Sequence, residues 1–282
     1  MPKGEPTGAG SGDPQDANLD IQAKLIFDPK RDVSGESMQR MIRNAEHSGN
    51  RKPFFAYKMK IIDPTYEPKI EEDVQKSQIE KLEKNRREGN WQVFAYQAMI
   101  MKIIDPTYDL KLDEDAARGM SSTLESTRRG VPGEFIWGGG SNVKSPGARR
   151  ESEKDHEKDA QENKWMHFVR MAANVKIANP QQELGVDQEA RQGIKDRLEK
   201  LKKEYSSEFL RDAMAAKIVD STLDLGLDQP TQAWIKNIFQ ELKSPYANID
   251  TFTDTLMAMK ILATEKVEVT DKGLEIIMPE EK

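Results

Sequence analysis

Apolar residues recur along this chain at helical spacing, in a unit that repeats about every 42 residues. Each unit is marked by a lysine that is followed by one or two apolar residues at the end of an amphipathic stretch. Six such lysines occur, separated by 36, 42, 74, 41 and 43 residues: Lys24, Lys60, Lys102, Lys176, Lys217 and Lys260. The longest separation equals one period plus an insertion of 32 residues. The chain therefore contains six copies of one unit, of which the first and the last are irregular.

The first half of each copy predicts a helix with one buried face. Phenylalanines lie eight residues before the marker lysine and alanines lie four residues before it, which places them on the same side of a helix. These positions are occupied by Phe94, Phe168, Phe209 and Phe252, and by Ala56, Ala98, Ala172 and Ala213. We expect the phenylalanines to pack and the alanines to allow close helix crossings. Proline disfavours helical backbone in the residue before it, so Asp63-Pro64, Asp105-Pro106 and Asn179-Pro180 should end these helices.

The second half of each copy predicts a short extended link and another helix. The link has the pattern Leu-x-Leu-Asp, with a valine in place of the second leucine in one copy, and its aspartate is a good N-cap. Apolar residues follow seven and eleven positions after that aspartate, as in an amphipathic helix: Met120 and Leu124, Ile194 and Leu198, Ile235 and Phe239. In the first copy, the second helix is predicted for residues 34–45, with Met38, Met41 and Ile42 facing inward.

A single two-helix unit cannot bury its apolar face, so such units stack. The predicted fold is all-α: degenerate two-helix repeats with a period of about 42 residues, stacked as a short solenoid-like array and interrupted by a central insertion. Its period is that of HEAT or armadillo repeats, and the likeness is one of length alone. The predicted boundaries are a disordered tail over residues 1–18, copies one to three over 19–128, a Gly-rich loop and charged linker over 129–163, and copies four to six over 164–282.

The end of copy six predicts a cap for the open end of the stack in one of two forms. In the preferred form, Thr270 caps a last helical turn that carries Leu274 and Ile277. In the alternative, Val267–Thr270 and Leu274–Met278 form a small hairpin that turns at residues 271–273.

Composition narrows the functional class. A net charge of −6 does not favour nucleic acid or anionic membranes as partners, and the absence of cysteine excludes disulfides and thiolate metal sites. No apolar run approaches the length of a membrane-spanning helix, and the N-terminus lacks the apolar segment of a signal peptide. We therefore expect a protein that is cytoplasmic or is incorporated into a particle assembled inside the cell.

Each motif that suggests chemistry has a structural explanation that we prefer. Asp105-x-Thr107-x-Asp109 resembles the start of a calcium loop, but the glycine and the glutamate that such a loop needs at its sixth and twelfth positions are replaced by Leu110 and Ala116. The marker lysines can reach helix-end carbonyls instead of forming a ladder for phosphates. The sequence contains no visible catalytic constellation, so we predict no enzymatic activity, no cofactor and no metal.

The central insertion contains the candidate binding site. Phe135, Ile136 and Trp137 lie among glycines in a long loop, where large apolar residues are unusual. They either fold back between the two halves of the array or dock on another chain, as aromatic anchors do at interfaces. We predict a non-enzymatic structural or scaffolding protein that binds other proteins, including copies of itself, within a larger assembly such as a virus particle. The alternative is a nucleic-acid-associated protein that uses the lysine column.

Overall fold

The computed structural model describes residues 52–131, 163–206, 208–242, 249–264, 266–270 and 273–277. In this part of the chain the protein is mostly helical, which confirms the all-α class. The helices are α1 (Lys52–Ile62), α2 (Glu72–Arg87), α3 (Trp91–Ile104), α4 (Glu114–Arg128), α5 (Lys164–Ala178), α6 (Gln188–Lys203), α7 (Glu208–Val219), α8 (Gln229–Leu242) and α9 (Ile249–Ala263). The strands β1 (Lys266–Thr270) and β2 (Gly273–Ile277) pair antiparallel.

The two-helix units occur where the pattern predicts them. The phenylalanine and alanine columns are buried, with exposures between 0 and 5%. The apolar pairs of the second helices are buried as well. Asp113, Asp187 and Asp228 cap these helices by accepting hydrogen bonds from the backbone N–H three residues later. Copy one and the N-terminal tail lie outside the described residues.

The sequence predicts extended links, but the links are not extended throughout. The residue between the two apolar positions adopts left-handed backbone, with φ of +49° at Lys111, +65° at Gly185 and +63° at Gly226. Glycine takes this conformation without a Cβ clash, whereas a lysine is strained in it. The extended backbone predicted for the link is therefore wrong at this residue, whereas the apolar residues on either side of it pack against the core.

The first helices of the copies form a closed ring. Helix α1 packs on α3, α3 on α5, α5 on α7, α7 on α9, and α9 packs back on α1. We call these five helices the inner ring, and α2, α4, α6 and α8 the outer helices. Each outer helix packs on the inner helix that follows it in the chain. The solenoid-like arrangement is not confirmed, because an open stack has free ends and here the first and last described helices are in contact.

The C-terminal residues form the hairpin that the sequence offered as the alternative. The predicted final helical turn is wrong, since Leu274 pairs with Val269 and Ile277 pairs with Lys266 across two strands. The hairpin contacts α3, α5 and α7, and Val267 is buried. It therefore packs against the wall of the inner ring instead of extending the series of helices.

Candidate functional site

The predicted docking residues Phe135, Ile136 and Trp137 lie outside the described residues, and so does most of the insertion. The structure does describe the two helices that the insertion joins. Helices α4 and α5 pack directly on each other. Arg128, at the end of α4, binds Asp187 at 2.5 Å and Glu189 at 3.0 Å, and Gln182 donates to Ser121 at 2.7 Å. Copies three and four are thus joined directly by described residues on either side of the insertion.

The same connection occurs elsewhere around the outer layer. A basic residue in the last turn of one outer helix binds the N-cap aspartate of the next outer helix. The three pairs are Arg86 with Asp113, Arg128 with Asp187, and Lys202 with Asp228. The negative N-cap and the positive last turn each complement a helix dipole, so these contacts join the outer helices head to tail.

Three of the marker lysines connect neighbouring helices of the inner ring. The ammonium groups donate to backbone carbonyls at the C-terminal end of the next helix: Lys176 to Val219 at 3.0 Å, Lys217 to Thr264 at 2.6 Å, and Lys260 to Ile62 at 2.6 Å. The last of these contacts joins α9 to α1. The carbonyls at the end of a helix lack intrahelical partners, so each lysine satisfies an acceptor that would otherwise be unpaired.

These lysines are partly removed from water. Burial lowers the pKa of Lys217 to about 8. It also lowers the pKa of Lys260 to about 8, against the attraction of Asp63. The other two described lysines of the column stay within their own copies, where Lys60 lies 3.4 Å from Glu67 and Lys102 donates to the carbonyl of Pro106 at 3.1 Å. In the described copies, the lysine column is therefore engaged in contacts within the protein.

Charged residues inside the core form a cluster that the sequence analysis missed. Arg170 of α5 donates to Asp212 of α7 at 2.6 Å, and the two side chains are 5% and 1% exposed. Arg197 of α6 lies 3.4 Å from the second oxygen of Asp212 and 2.7 Å from Glu208. Burial raises the pKa of Asp212, while both arginines act in the opposite direction.

The neighbouring interface of the ring repeats this arrangement. Arg211 of α7 lies 3.2 Å from Asp254 of α9, and Asp254 lies 2.7 Å from the buried ammonium of Lys58 in α1. Beside them the hydroxyls of Tyr57 and Tyr96 share a hydrogen bond. Burial raises the pKa of Tyr57 and takes that of Tyr96 to about 12, so both phenols are neutral near pH 7.

This cluster has the chemistry of a structural network. Its carboxylates are neutralised by cations of adjacent helices, which leaves no basic carboxylate facing a cavity. The sequence does contain a signal for this cluster, because its paired residues are about one repeat apart. Arg170 and Asp212 are separated by 42 residues, and Arg211 and Asp254 are separated by 43. Charges one period apart belong to adjacent inner helices, so this spacing identifies pairs that a local pattern search overlooks.

Two surface depressions of the described residues are lined by side chains without a reactive constellation. One is a cavity of about 150 Å3 between α1, α2 and α3, lined mainly by Pro53, Gln78, Met101 and Ile104. The other is an open depression of about 730 Å3, where arginines alternate with acidic residues around Trp91. The arginines Arg86, Arg87 and Arg118 are balanced there by Glu83, Asp113 and Asp115.

The spaced aspartates that resemble a calcium loop are occupied by turn hydrogen bonds. Asp105 accepts from the backbone N–H of Thr107 at 2.9 Å and from its hydroxyl at 2.6 Å. Asp220 and Thr222 make the same two contacts, and so do Asp63 and Thr65. Within the described ranges no cluster of three or more acidic or histidine side chains is arranged to hold a metal ion. The same residues include no helix that is both long and apolar enough to cross a membrane.

Comparisons with protein-family models, with curated proteins and with solved structures found no significant match.

Proposed function

We propose that this protein is a non-enzymatic scaffold that binds other proteins, including copies of itself, within a larger assembly built inside the cell, such as a virus particle. The observation that carries the proposal is that the helices on either side of the central insertion contact each other directly. The contact of α4 with α5, and the pairing of Arg128 with Asp187 and Glu189, join copies three and four directly. Residues 132–162, which lie outside the described residues, are in our proposal the part of the chain that carries the docking role.

The composition of the insertion supports a docking role. The segment that connects α4 to α5 in the sequence contains Phe135, Ile136 and Trp137. Large apolar side chains gain about 25 cal/mol for each Å2 that they remove from water, and at interfaces a few aromatic anchors carry much of the binding energy. The insertion thus offers binding groups on a stable ring without weakening the ring itself.

The structural role of the interior also supports the proposal. The buried carboxylates of Asp212 and Asp254 are paired with cations across the helix interfaces. Lys176, Lys217 and Lys260 donate to carbonyls of the next inner helix, which does not favour the nucleic-acid alternative built on these lysines. Both features stabilise a ring, and a rigid ring is what a scaffold presents to its partners.

Site-specific photo-crosslinking in the source cells or particles tests the proposal. A benzoylphenylalanine at position 137 should give covalent adducts with one defined partner protein, because this residue is expected to anchor the interface. The matched control is benzoylphenylalanine at Tyr205, an aromatic residue just after α6 that is 66% exposed. It should not give the same adduct.

A variant of the insertion separates binding from folding. Changing Phe135, Ile136 and Trp137 together to serine should abolish the adduct-forming complex and leave the melting temperature unchanged, since ring contacts bypass the insertion. Crosslinks from position 137 that reach only α1–α9 of the same chain would show that the insertion folds back on the ring, and adducts with nucleic acid would support the alternative. Either outcome overturns the docking proposal.

A further inference from the structure

The outer layer of the ring has one position that no described helix fills. Each of α2, α4, α6 and α8 packs on the inner helix that follows it, namely α3, α5, α7 and α9. Helix α1 is the fifth member of the inner ring, and among the described elements it packs most extensively on α3 and α9. Beyond α9 the described chain continues as the β1–β2 hairpin, not as a further outer helix. The position outside α9 and α1 is therefore unassigned.

The face of α1 that points to this position is nevertheless buried. Phe55 and Met59 correspond, one copy earlier, to Gln97 and Met101 of α3. In α3 these residues face the preceding outer helix: Asn85 of α2 donates to Gln97 at 3.0 Å, and Met101 lines a cavity together with residues of α2. Phe55 and Met59 are only 6% and 1% exposed, although the described chain begins at residue 52.

The segment that comes just before α1 has the character of the missing helix. Each described outer helix comes before the inner helix on which it packs, which belongs to the next copy. Residues 34–45 occupy that place relative to α1 and carry apolar residues at helical spacing, Met38, Met41 and Ile42. This segment belongs to the copy that the sequence pattern identifies as irregular.

Charge complementarity gives the same assignment. Arg86, Arg128 and Lys202 each lie fifteen residues after the N-cap of their outer helix, and each binds the N-cap aspartate of the next one. Lys243 lies fifteen residues after Asp228, the cap of α8, and is thus the corresponding cation of the last copy. Two carboxylates lie close to the start of the 34–45 segment and can pair with this lysine, Asp32 just before the segment and Glu36 within it.

We infer that residues 34–45 form a fifth outer helix, seated between α9 and α1 of the same chain. The N-terminal half-copy then supplies the outer helix that copy six lacks, so that the beginning and the end of the chain together make one complete repeat. The contact between α9 and α1 closes the inner ring with five helices. The occupant follows from the chain's own repeat, and no other molecule is required.

Hydrogen exchange on full-length variants tests this arrangement. Changing Met41 and Ile42 together to serine should lower the melting temperature and accelerate exchange in residues 34–45, α1 and α9, with α5 on the other side of the ring unaffected. The control changes Gln39 and Arg40 to serine, which alters the polar face of the same segment and should leave exchange unchanged. Equal exchange in the two variants, or acceleration confined to residues 34–45, would contradict the inference.

A cysteine pair identifies the chain that supplies the segment, because the natural protein contains no cysteine. Met166 of α5 lies 3.6 Å from Arg197 of the following outer helix. The corresponding residues in the inferred contact are Asp250 and Asn44, so Asn44→Cys with Asp250→Cys should react with a short bismaleimide to give a crosslinked monomer. Gln15→Cys with Asp250→Cys is the control that should not crosslink. A covalent dimer would assign the segment to a second copy, and absence of any crosslink would remove the contact; both outcomes overturn the inference.

Discussion

At the residue scale, pairs of large and small side chains hold the two helices of a copy together. A Cβ on Gly119 would lie 2.1 Å from the indole of Trp91, and a Cβ on Gly193 would lie 2.1 Å from that of Trp165. In copy five the sizes are exchanged: the position of the glycine is taken by Trp234, and the position of the tryptophan by Ser206. Trp234 packs against Phe209 at 5.8 Å between ring centroids, as Trp91 does against Phe94 at 5.7 Å.

Replacing Gly193 with alanine should therefore destabilise the protein. Helix propensity alone favours alanine over glycine by about 1 kcal/mol, whereas overpacking costs about 1–3 kcal/mol, and here the added methyl meets a rigid indole. We expect the free energy of unfolding, measured by urea titration, to fall. In a Trp165→Phe background the cost of Gly193→Ala should shrink, because the smaller ring leaves space. A stabilising effect of Gly193→Ala in the natural background would show that the indole moves aside.

At the element scale, interhelical contacts repeat with the period of the sequence. The α5–α7 interface has a buried ion pair, Arg170 with Asp212, in the middle of the helices, and a lysine-to-carbonyl bond from Lys176 at their C-terminal ends. The α7–α9 interface has Arg211 with Asp254 and the bond from Lys217 in the same places. Two contacts at different heights along each interface hold these inner helices parallel to one another and oppose sliding.

Mutation of the buried pair, Arg170 with Asp212, should lower the free energy of unfolding more than mutation of the exposed pair, Arg211 with Asp254. Removing one member of a buried pair leaves an unpaired charge and costs about 3–5 kcal/mol. Arg211 is 41% exposed, so its pair with Asp254 is worth about 0–1 kcal/mol. We expect Asp212→Asn to lower the free energy of unfolding far more than Arg211→Gln does, in chemical denaturation at pH 7. Equal costs would mean that water reaches the Arg170–Asp212 pair.

At the scale of the whole molecule, closure of the ring depends on contacts between residues about 200 positions apart. Lys260 of α9 donates to the carbonyl of Ile62 at the end of α1, and Lys58 of α1 pairs with Asp254 of α9. The charged forms of Lys217 and Lys260 are partly desolvated, which lowers the pKa of each to about 8. Their unfolded pKa is near 10.4, so between these values the unfolded chain binds more protons than the folded protein.

The free energy of unfolding should consequently rise as the pH increases from about 8 to 9.5. The slope has this sign because stability increases with pH wherever the unfolded state holds more protons. Above about pH 10 the effect reverses, since unfolded tyrosines ionise there while burial keeps Tyr57 and Tyr96 protonated. Denaturation curves at several pH values measure the trend. In Lys217→Met with Lys260→Met the rise should be reduced, and a rise that stays unchanged in this variant would assign it to other groups.

The two-helix units, their N-cap aspartates, their proline stops and their buried columns were determined by the sequence alone, because each depends on residues within a few turns of one another. Phe168, Ala172 and Lys176, for example, share a face through helical periodicity whatever lies beside them. The tertiary structure decided what these units contact. Whether an array closes depends on the small rotation from each unit to the next, summed over five units, and no local pattern encodes that sum. The acceptor of Lys260, the partners of Asp212 and the packing of the C-terminal hairpin likewise involve helices of different copies, so the tertiary structure was needed to show them.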